Sequence, residues 1–281
     1  MSKIDSPPST LPLPRILCLP GGGLNAHIFK LQMRLFTACL APHFRLVFVN
    51  APFESEVHHA AKPVFDNMGP YTRWFRWEKH HPVVDKTAAV DDIEDAMMSA
   101  MVNDAGSGEW VGLLGFSQGA AVAASILLEN QVRRRTGSFA WSFAGEWWKF
   151  GIFIAGYARP ASLSVDTEGS GSFTDPGSML IPPPEGSKER IESNGERLEC
   201  PTFHVSGTRD PDVRWHWCLF KDYCAEGTAR LYEFDDGHRV PFRTKDVEAV
   251  LEGILEVAEA AKSRPWPLLP TPDDSGDEAK V

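Results

Sequence analysis

Residues 110–128 read WVGLLGFSQGAAVAASILL, in which an apolar run passes through GFSQG at residues 115–119 into a run of small residues. The first run predicts a strand buried on both faces of a parallel sheet, and the second predicts a helix. A G-x-S-x-G pattern between a strand and a helix is typical of a tight turn that holds the serine out at the sheet edge. Side chains larger than glycine, two residues from the serine, would clash with the adjoining strand and helix. Ser117 is therefore predicted to be a nucleophile, and the alternative is a serine that only caps its helix.

The rest of the chain alternates between strand-like and helix-like segments. Strands with their exit turns are predicted at residues 15–20, 44–52, 109–117, 149–160, 200–210 and 228–238. This alternation predicts an α/β fold with a doubly wound, mostly parallel sheet and helices on both faces. In such sheets the chemistry gathers beyond the carboxyl ends of the strands. The candidate polar residues lie at those ends.

The segment 25–42 predicts a single helix, with Asn25 as its N-cap. The apolar residues taken as its buried face keep helical spacing: Ile28, Leu31, Leu35 and Cys39.

The length of 281 residues and the hydrophobic content of 43% favour one large domain over two small ones. We expect this domain to span residues 14–262, between a disordered arm at 1–13 and a flexible tail at 263–281. Residues 161–197 are rich in Ser, Gly, Pro and Glu and predict a long mobile surface loop, with an ordered patch near 178–184. Residues 53–86 have no clean period and predict a lid-like segment.

Composition restricts the partners and the compartment. The net charge of −10 argues against a nucleic-acid partner. No apolar run approaches the roughly 20 residues needed to span a bilayer, and the N-terminus lacks the apolar region of a signal peptide. The five cysteines are scattered and are interpreted as reduced thiols. We therefore expect a cytoplasmic protein without a membrane partner, of unknown oligomeric state.

A base and an acid for Ser117 are expected at the ends of later strands. His238 follows a glycine in a strand-end turn, and Asp210 follows the turn after the preceding strand. The base must reach the hydroxyl, and the acid must fix the tautomer of the base. Among the competing groups, Asp212 is predicted to cap a helix from Val213. Asp235 and Asp236 are interpreted as turn residues, and His204 as a core histidine.

Acyl transfer also needs donors for the oxyanion. The backbone N–H of Gln118 is one candidate, and the glycine turn 21–23 supplies the other, with Gly22 and Gly23 left as alternatives. A nucleotide-phosphate loop is the competing interpretation of this turn, but Ala26 occupies its later glycine position.

Four histidines form two adjacent pairs, at 58–59 and 80–81. They are interpreted as solvated loop residues, because no carboxylate or cysteine is spaced to complete a tetrahedral metal site. No metal or organic cofactor is expected.

Aromatic residues crowd the stretch GPYTRWFRW at 69–77. A loop rich in aromatics either buries them in a small core of its own or offers them to a ligand. Four side chains are predicted to bind substrate: Tyr71, Trp74, Phe75 and Trp77. Arg73 and Arg76 are interpreted as solvated charges, the alternative being contact with an acidic carrier or a carboxylate.

Six separated blocks together resemble the fungal serine hydrolases of the FSH type, in the branch of thioesterase-like hydrolases that serve polyketide gene clusters, such as lovastatin biosynthesis. The blocks are LPGGGLNAHIFKLQMRLF, FVNAPF, GPYTRWFRW, GLLGFSQGAAVA, FHVSGTRDP and DDGHRVP. The resemblance implies an α/β-hydrolase fold, with Ser117 as nucleophile, Asp210 as acid and His238 as base. One departure is Pro20-Gly21, where such enzymes usually have His-Gly, and it bears on the shape of the oxyanion turn.

The resulting prediction is a serine hydrolase of acyl thioesters or esters that releases or edits polyketide chains on a synthase's acyl-carrier domain. Two alternatives remain open: a general carboxylesterase acting on small free esters, and a non-catalytic binding protein with the same fold.

Overall fold

A computed structural model describes residues 9–136, 148–168, 173–182 and 196–263. The strands are β1 (Arg15–Leu19), β2 (Arg45–Phe48), β3 (Phe53–Ser55), β4 (Tyr71–Arg73), β5 (Trp110–Phe116), β6 (Phe150–Ile154), β7 (Thr202–Gly207) and β8 (Ala229–Phe234). Six of them form one sheet in the order β2-β1-β5-β6-β7-β8, and every neighbouring pair in it is parallel. Strands β3 and β4 form a separate antiparallel pair.

The helices cover both faces of the large sheet. They are α1 (Ala26–Gln32), α2 (Arg34–Leu40), α3 (Lys62–Phe65), α4 (Lys86–Val102), α5 (Gln118–Thr136), α6 (Val213–Asp222) and α7 (Thr244–Ser263). Alternate residues of β1 point to opposite faces: Leu17 belongs to the buried cluster that includes residues of α4, α5 and α6, whereas Ile16 belongs to the cluster that includes residues of α1, α2 and α7. The predicted doubly wound α/β architecture is confirmed.

The predicted helix over residues 25–42 is instead two helices, separated at Met33. Asn25 is the N-cap, and its Oδ1 accepts a hydrogen bond from the Ile28 N–H at 2.8 Å. The predicted buried face was wrong beyond Ile28, because Leu31, Leu35 and Cys39 are exposed. The side chains that are buried on this stretch are Ile28, Phe29, Met33, Phe36 and Leu40. This set of residues is buried instead of the predicted set because its two phenylalanines and its methionine bury more apolar area.

Two segments expected to be disordered or mobile are packed where they are described. Leu11 accepts hydrogen bonds from the Ser107 and Gly108 N–H groups, so the arm is docked from about this point. In the predicted surface loop 161–197, Leu163, Met179 and Ile181 are buried. These apolar residues are too irregularly spaced to give a period, but each fills a place in the core. Residues 1–8, 169–172, 183–195 and 264–281 lie outside the described residues.

Within the described part of the chain, no helix combines the length and apolar character that crossing a membrane requires.

Candidate active site

Ser117 occupies the turn between β5 and α5 in a left-handed backbone conformation, with φ of 55°. A side chain at Gly115 would come within 2.3 Å of the Ala120 nitrogen, and one at Gly119 within 2.1 Å of the Leu19 carbonyl oxygen. Both glycines are therefore required by the closeness of the strand and helix backbones. A non-glycine residue at positive φ is strained, and here the strain presents the hydroxyl at the carboxyl edge of the sheet.

Three side chains from the ends of β5, β7 and β8 meet at this edge. His238 Nε2 lies 3.0 Å from Ser117 Oγ, and His238 Nδ1 lies 2.6 Å from Asp210 Oδ2. The Asp210 Oδ1 atom accepts the Asp212 N–H at 3.0 Å. The turns that carry the acid and the base are in direct contact, because a side chain at Gly207 would lie 2.4 Å from the Gly237 carbonyl oxygen. The structure thus brings together the predicted nucleophile, base and acid, and these three residues (Ser117, His238 and Asp210) are called the relay below.

The electrostatics of the relay favour an ionised acid. Burial raises the pKa of Asp210, but the hydrogen bond from His238 and the nearby His238 and His216 rings together bring it below its usual value. An ionised carboxylate accepts the Nδ1–H of His238, which leaves Nε2 free to accept the Ser117 proton. This is the arrangement that a serine nucleophile needs.

The competing acids have other roles. Asp212 is at the N-cap position of α6, but its side chain makes no capping hydrogen bond. Its Oδ2 instead accepts the Tyr157 hydroxyl at 2.9 Å, so the predicted capping role is wrong. Asp235 pairs with Arg209, and Asp236 pairs with Arg239.

His204 is buried in β7, as predicted, and its Nε2 lies 3.2 Å from the Thr202 hydroxyl.

The glycine turn after β1 contacts the tight turn that carries Ser117, called the elbow below, through the Gln118 side chain. The Gly23 N–H donates to the Thr72 carbonyl at 2.9 Å, whereas among the described residues no backbone group accepts from the Gly22 N–H. A side chain at Gly22 would lie 2.8 Å from the Gln118 amide.

The Gln118 amide ties the elbow to the aromatic segment, and sequence reasoning missed this role. Its Oε1 accepts from the N–H groups of Trp74 at 3.1 Å and Phe75 at 3.2 Å. Its Nε2 donates to the carbonyls of Phe75 at 3.1 Å and Ile181 at 3.0 Å. No local pattern signals these contacts, since the partners lie more than 40 residues away in the chain.

The aromatic side chains predicted to bind substrate lie elsewhere. Trp74 and Phe75 are 0% and 1% exposed, and they pack in the core on the α4–α5 face. Trp74 Nε1 donates to the Pro20 carbonyl, Trp77 Nε1 to Ser55 Oγ, and the Tyr71 hydroxyl to the Phe65 carbonyl. None of the four lines the cleft at Ser117. The substrate-binding prediction is therefore wrong for Trp74 and Phe75, whose burial excludes contact with a ligand.

The two arginines of this segment are not simply solvated. Arg73 is buried, with its guanidinium 5.2 Å from the centre of the Phe53 ring. The Arg76 guanidinium donates to the carbonyls of His81, Lys79 and Ser178, so it fastens this segment to residues near 178.

The cleft that opens onto Ser117 has a volume of about 270 Å³ and a mixed lining. Its apolar lining residues are Leu24, Ala60, Ala61, Val64, Phe65, Phe116, Val240 and Phe242. Arg34 and Arg239 add positive charge, and Val64 and Phe242 are exposed at its rim. These residues come from five separate stretches of the chain, so no period in the sequence could identify them.

The histidine pairs also differ from the prediction. His58 lines the cleft, with its ring centre 6.2 Å from that of His238, and burial lowers its pKa to about 4. His81 is buried, and its Nε2 lies 2.9 Å from a Glu56 oxygen; the other Glu56 oxygen lies 3.4 Å from His80. The argument that no carboxylate accompanies the histidines is therefore wrong.

The Glu56, His80 and His81 group is nevertheless poorly suited to a metal. The Nδ1 atom of His81 accepts the N–H groups of Trp77 and Glu78 at 3.3 and 3.2 Å. The proton of the neutral ring is then on Nε2, where it donates to Glu56. A metal needs a lone pair at that nitrogen, so this tautomer does not fit one.

A serine, a histidine and an aspartate hydrogen-bonded at the carboxyl edge of a parallel sheet, with the serine in a strand–helix elbow, define the α/β-hydrolase class. The chain belongs to the family described as "Serine hydrolase (FSH1)", whose model matches residues 10–250. The predictions of a serine hydrolase and of this family are confirmed.

Several curated relatives are named esterases. The chain is 41% identical to esterase pigG of Monascus ruber, across 90% of this chain and 94% of the relative. It is also 41% identical to esterase claE of Penicillium crustosum, across 89% and 95% of the two chains. Among solved structures, esterase PE8 has a TM-score of 0.50 at 15% identity and covers 89% of this chain and 96% of that one. This last likeness concerns the fold alone.

Proposed function

We propose that the chain hydrolyses acyl thioesters or esters through an acyl-enzyme formed on Ser117. The observation that carries the proposal is the continuous hydrogen-bond path from Ser117 Oγ through His238 to the buried carboxylate of Asp210. A serine hydroxyl is a poor nucleophile near neutral pH unless a base accepts its proton.

The reaction has two halves that use the same groups. Ser117 Oγ attacks the acyl carbon while its proton passes to His238 Nε2, and Asp210 stabilises the resulting imidazolium. That proton then goes to the leaving thiolate or alkoxide as its bond to the acyl carbon breaks. In the second half, a water molecule attacks the acyl carbon while its proton passes to His238. That proton then goes to Ser117 Oγ as the bond between Oγ and the acyl carbon breaks, which releases the free acid and restores both groups.

Two backbone N–H groups are proposed to stabilise the oxyanion: those of Gln118 and Gly22. The Gln118 N–H begins the helix that follows the nucleophile, where the helix dipole adds to the effect. The engagement of the Gly23 N–H with Thr72 supports Gly22 as the second donor.

The cleft suggests the kind of acyl group. Its apolar walls favour a chain of several carbons over an acetyl group, because an acetyl group would leave most of that surface uncovered. Arg34 and Arg239 at the same cleft suit a substrate or carrier that bears negative charge.

The biological role that we propose is release or editing of polyketide chains on the acyl-carrier domain of a synthase, in secondary-metabolite biosynthesis. The resemblance of six sequence blocks to hydrolases of such gene clusters supports this role. A cytoplasmic location is part of the proposal and is supported by the five unpaired cysteines. A fluorescent fusion expressed in a filamentous fungus would test the location, and accumulation in the secretory pathway would contradict it.

Replacement of Ser117 by alanine tests the acyl-enzyme. We expect at least a 10³-fold loss of para-nitrophenyl ester hydrolysis and no labelling by a fluorophosphonate probe, because the substitution removes the hydroxyl that His238 and Asp210 serve. Ser125, a buried serine of α5, provides the control, and Ser125→Ala should keep both properties. Labelling that persists in Ser117→Ala would overturn the assignment.

A comparison of substrates separates the two enzymatic alternatives. Higher kcat/KM on acyl-pantetheine thioesters than on oxygen esters of the same chain supports the carrier role, and the reverse order supports a general carboxylesterase. A folded wild-type protein inert to both substrates and to the probe would instead indicate a binding protein.

A further inference from the structure

A second histidine, His216 of α6, lies against the acid of the relay and has no part in the reaction described above. Its Nε2 is 3.7 Å from Asp210 Oδ2, the same oxygen that lies 2.6 Å from His238 Nδ1. The His216 ring is 1% exposed, with its centre 6.1 Å from the His238 ring. Among the described residues, neither of its nitrogens has a hydrogen-bond partner.

Burying an imidazole at this position destabilises the fold unless its nitrogens form hydrogen bonds. A buried N–H without an acceptor loses its hydration, whereas an apolar side chain of similar size would fill the space without that cost. Burial lowers the pKa of His216 to about 4, so at neutral pH the ring is uncharged and carries one N–H. The charged oxygen nearest to it is Asp210 Oδ2, and an approach of roughly 0.8 Å would make a normal hydrogen bond.

The other groups around Asp210 are already engaged. Asp212 donates its N–H to Asp210 Oδ1, and its carboxylate accepts the Tyr157 hydroxyl. The Tyr157 ring packs edge-on against the His216 ring, at 5.6 Å between centres, and lies 5.9 Å from the His238 ring. His238 itself must remain free to serve Ser117. In the described part of the chain, His216 thus faces Asp210 with a donor that no other group engages.

We propose that His216 is a positioning residue for Asp210. Its neutral Nε2–H closes on Oδ2 and, together with the Asp212 N–H on Oδ1, holds the carboxylate plane towards His238 during turnover. A second donor on Oδ2 also draws charge from that oxygen, which keeps the proton of the pair on His238. This role rests on the proposed function, since it requires that Asp210 and His238 act on Ser117.

The test compares a donor with two apolar replacements. His216→Phe fills the site without a donor, and His216→Met does the same if the phenylalanine variant does not fold. His216→Gln carries an amide N–H close to the Nε2 position. The matched control is His204→Phe, which replaces another buried histidine, on β7, whose Nε2 lies 3.2 Å from the Thr202 hydroxyl.

The readouts are kcat, KM and the pH profile of kcat/KM on a para-nitrophenyl ester, with thermal unfolding to verify folding. We expect His216→Phe to lower kcat about 10- to 30-fold with KM within about twofold, a modest share of what a full relay contributes. The acid limb of its pH profile should move, because Oδ2 of the carboxylate that faces the His238 base then carries more charge. His216→Gln should keep at least about a third of the wild-type kcat and should leave the acid limb of the pH profile unchanged. His204→Phe should change neither kcat nor the acid limb.

Wild-type kcat and an unmoved acid limb in a folded His216→Phe or His216→Met variant would overturn the proposal. Equal losses in the apolar and glutamine variants would also overturn it, because the effect would then come from packing alone. These outcomes are distinct from failure of the acyl-enzyme itself, which the Ser117→Ala variant reports independently.

Discussion

Two neighbouring parts of one irregular stretch have opposite roles at the active site. Residues 58–65, here the cleft segment, contribute His58, Ala61, Val64 and Phe65 to the lining of the substrate cleft. Residues 71–77, here the anchored segment, bury Trp74 and Phe75 in the core. The anchored segment is the more aromatic of the two, yet none of its side chains lines the cleft.

The difference comes from the backbone partners of the two segments. The anchored segment is hydrogen-bonded to Gln118, to Leu24 through Thr72, and to His81 through Arg76. The backbone bonds of the cleft segment are mostly its own helical turns, apart from the His58 N–H to the Gly23 carbonyl and the Tyr71 hydroxyl to the Phe65 carbonyl. Accounting for buried backbone groups therefore separates core from cleft, whereas counting aromatic residues does not.

The largest effect on stability should come from a core residue of the anchored segment. Trp74→Ala leaves a cavity and removes the hydrogen bond to the Pro20 carbonyl, and we expect a loss of about 3–5 kcal/mol in the free energy of unfolding. Urea denaturation measures it. A loss below about 1 kcal/mol would mean that Trp74 is not a core residue, and the comparison would fail.

A smaller effect should come from the Gln118 side chain. Gln118→Ala leaves the N–H groups of Trp74 and Phe75 without their acceptor, and we expect a loss of about 2–3 kcal/mol. The anchored segment should then be cut faster by protease, as measured by fragment mass. Labelling of Ser117 by the fluorophosphonate should persist, because the Gln118 backbone N–H is retained. Unchanged stability and unchanged proteolysis would show that the amide does not anchor the segment.

The smallest effect on stability should come from the cleft segment. Val64 is 73% exposed, so Val64→Ser should change the free energy of unfolding by less than about 0.5 kcal/mol. The same change should raise KM for an octanoyl ester about fivefold, roughly 1 kcal/mol of lost apolar contact, and leave an acetyl ester unaffected. Equal effects on both esters would argue that the acyl chain lies elsewhere.

The relay residues could be selected from sequence because each follows a strand in a local turn pattern. GFSQG between an apolar strand and a small-residue helix indicates its turn without knowledge of the rest of the chain, and the same holds for the turns that carry Asp210 and His238. The sheet follows for the same reason, since alternating strands and helices have few ways to pack.

The surroundings of the relay could not be predicted in this way. His216 faces Asp210 because α6 packs beside the end of β7, and Asp212 turned out to bind Tyr157 rather than cap its helix. The pairing of Gly23 with Thr72, which supports Gly22 as the proposed oxyanion donor, depends on contact between segments about 50 residues apart.

By itself, the sequence determined the α/β class, the elbow at Ser117 and the candidate partners Asp210 and His238, because strand, turn and helix signals are local. Only the tertiary structure decided which loop residues are core and which are cleft. That choice depends on which distant groups satisfy each buried backbone N–H and carbonyl, as the Gln118 amide does for Trp74 and Phe75.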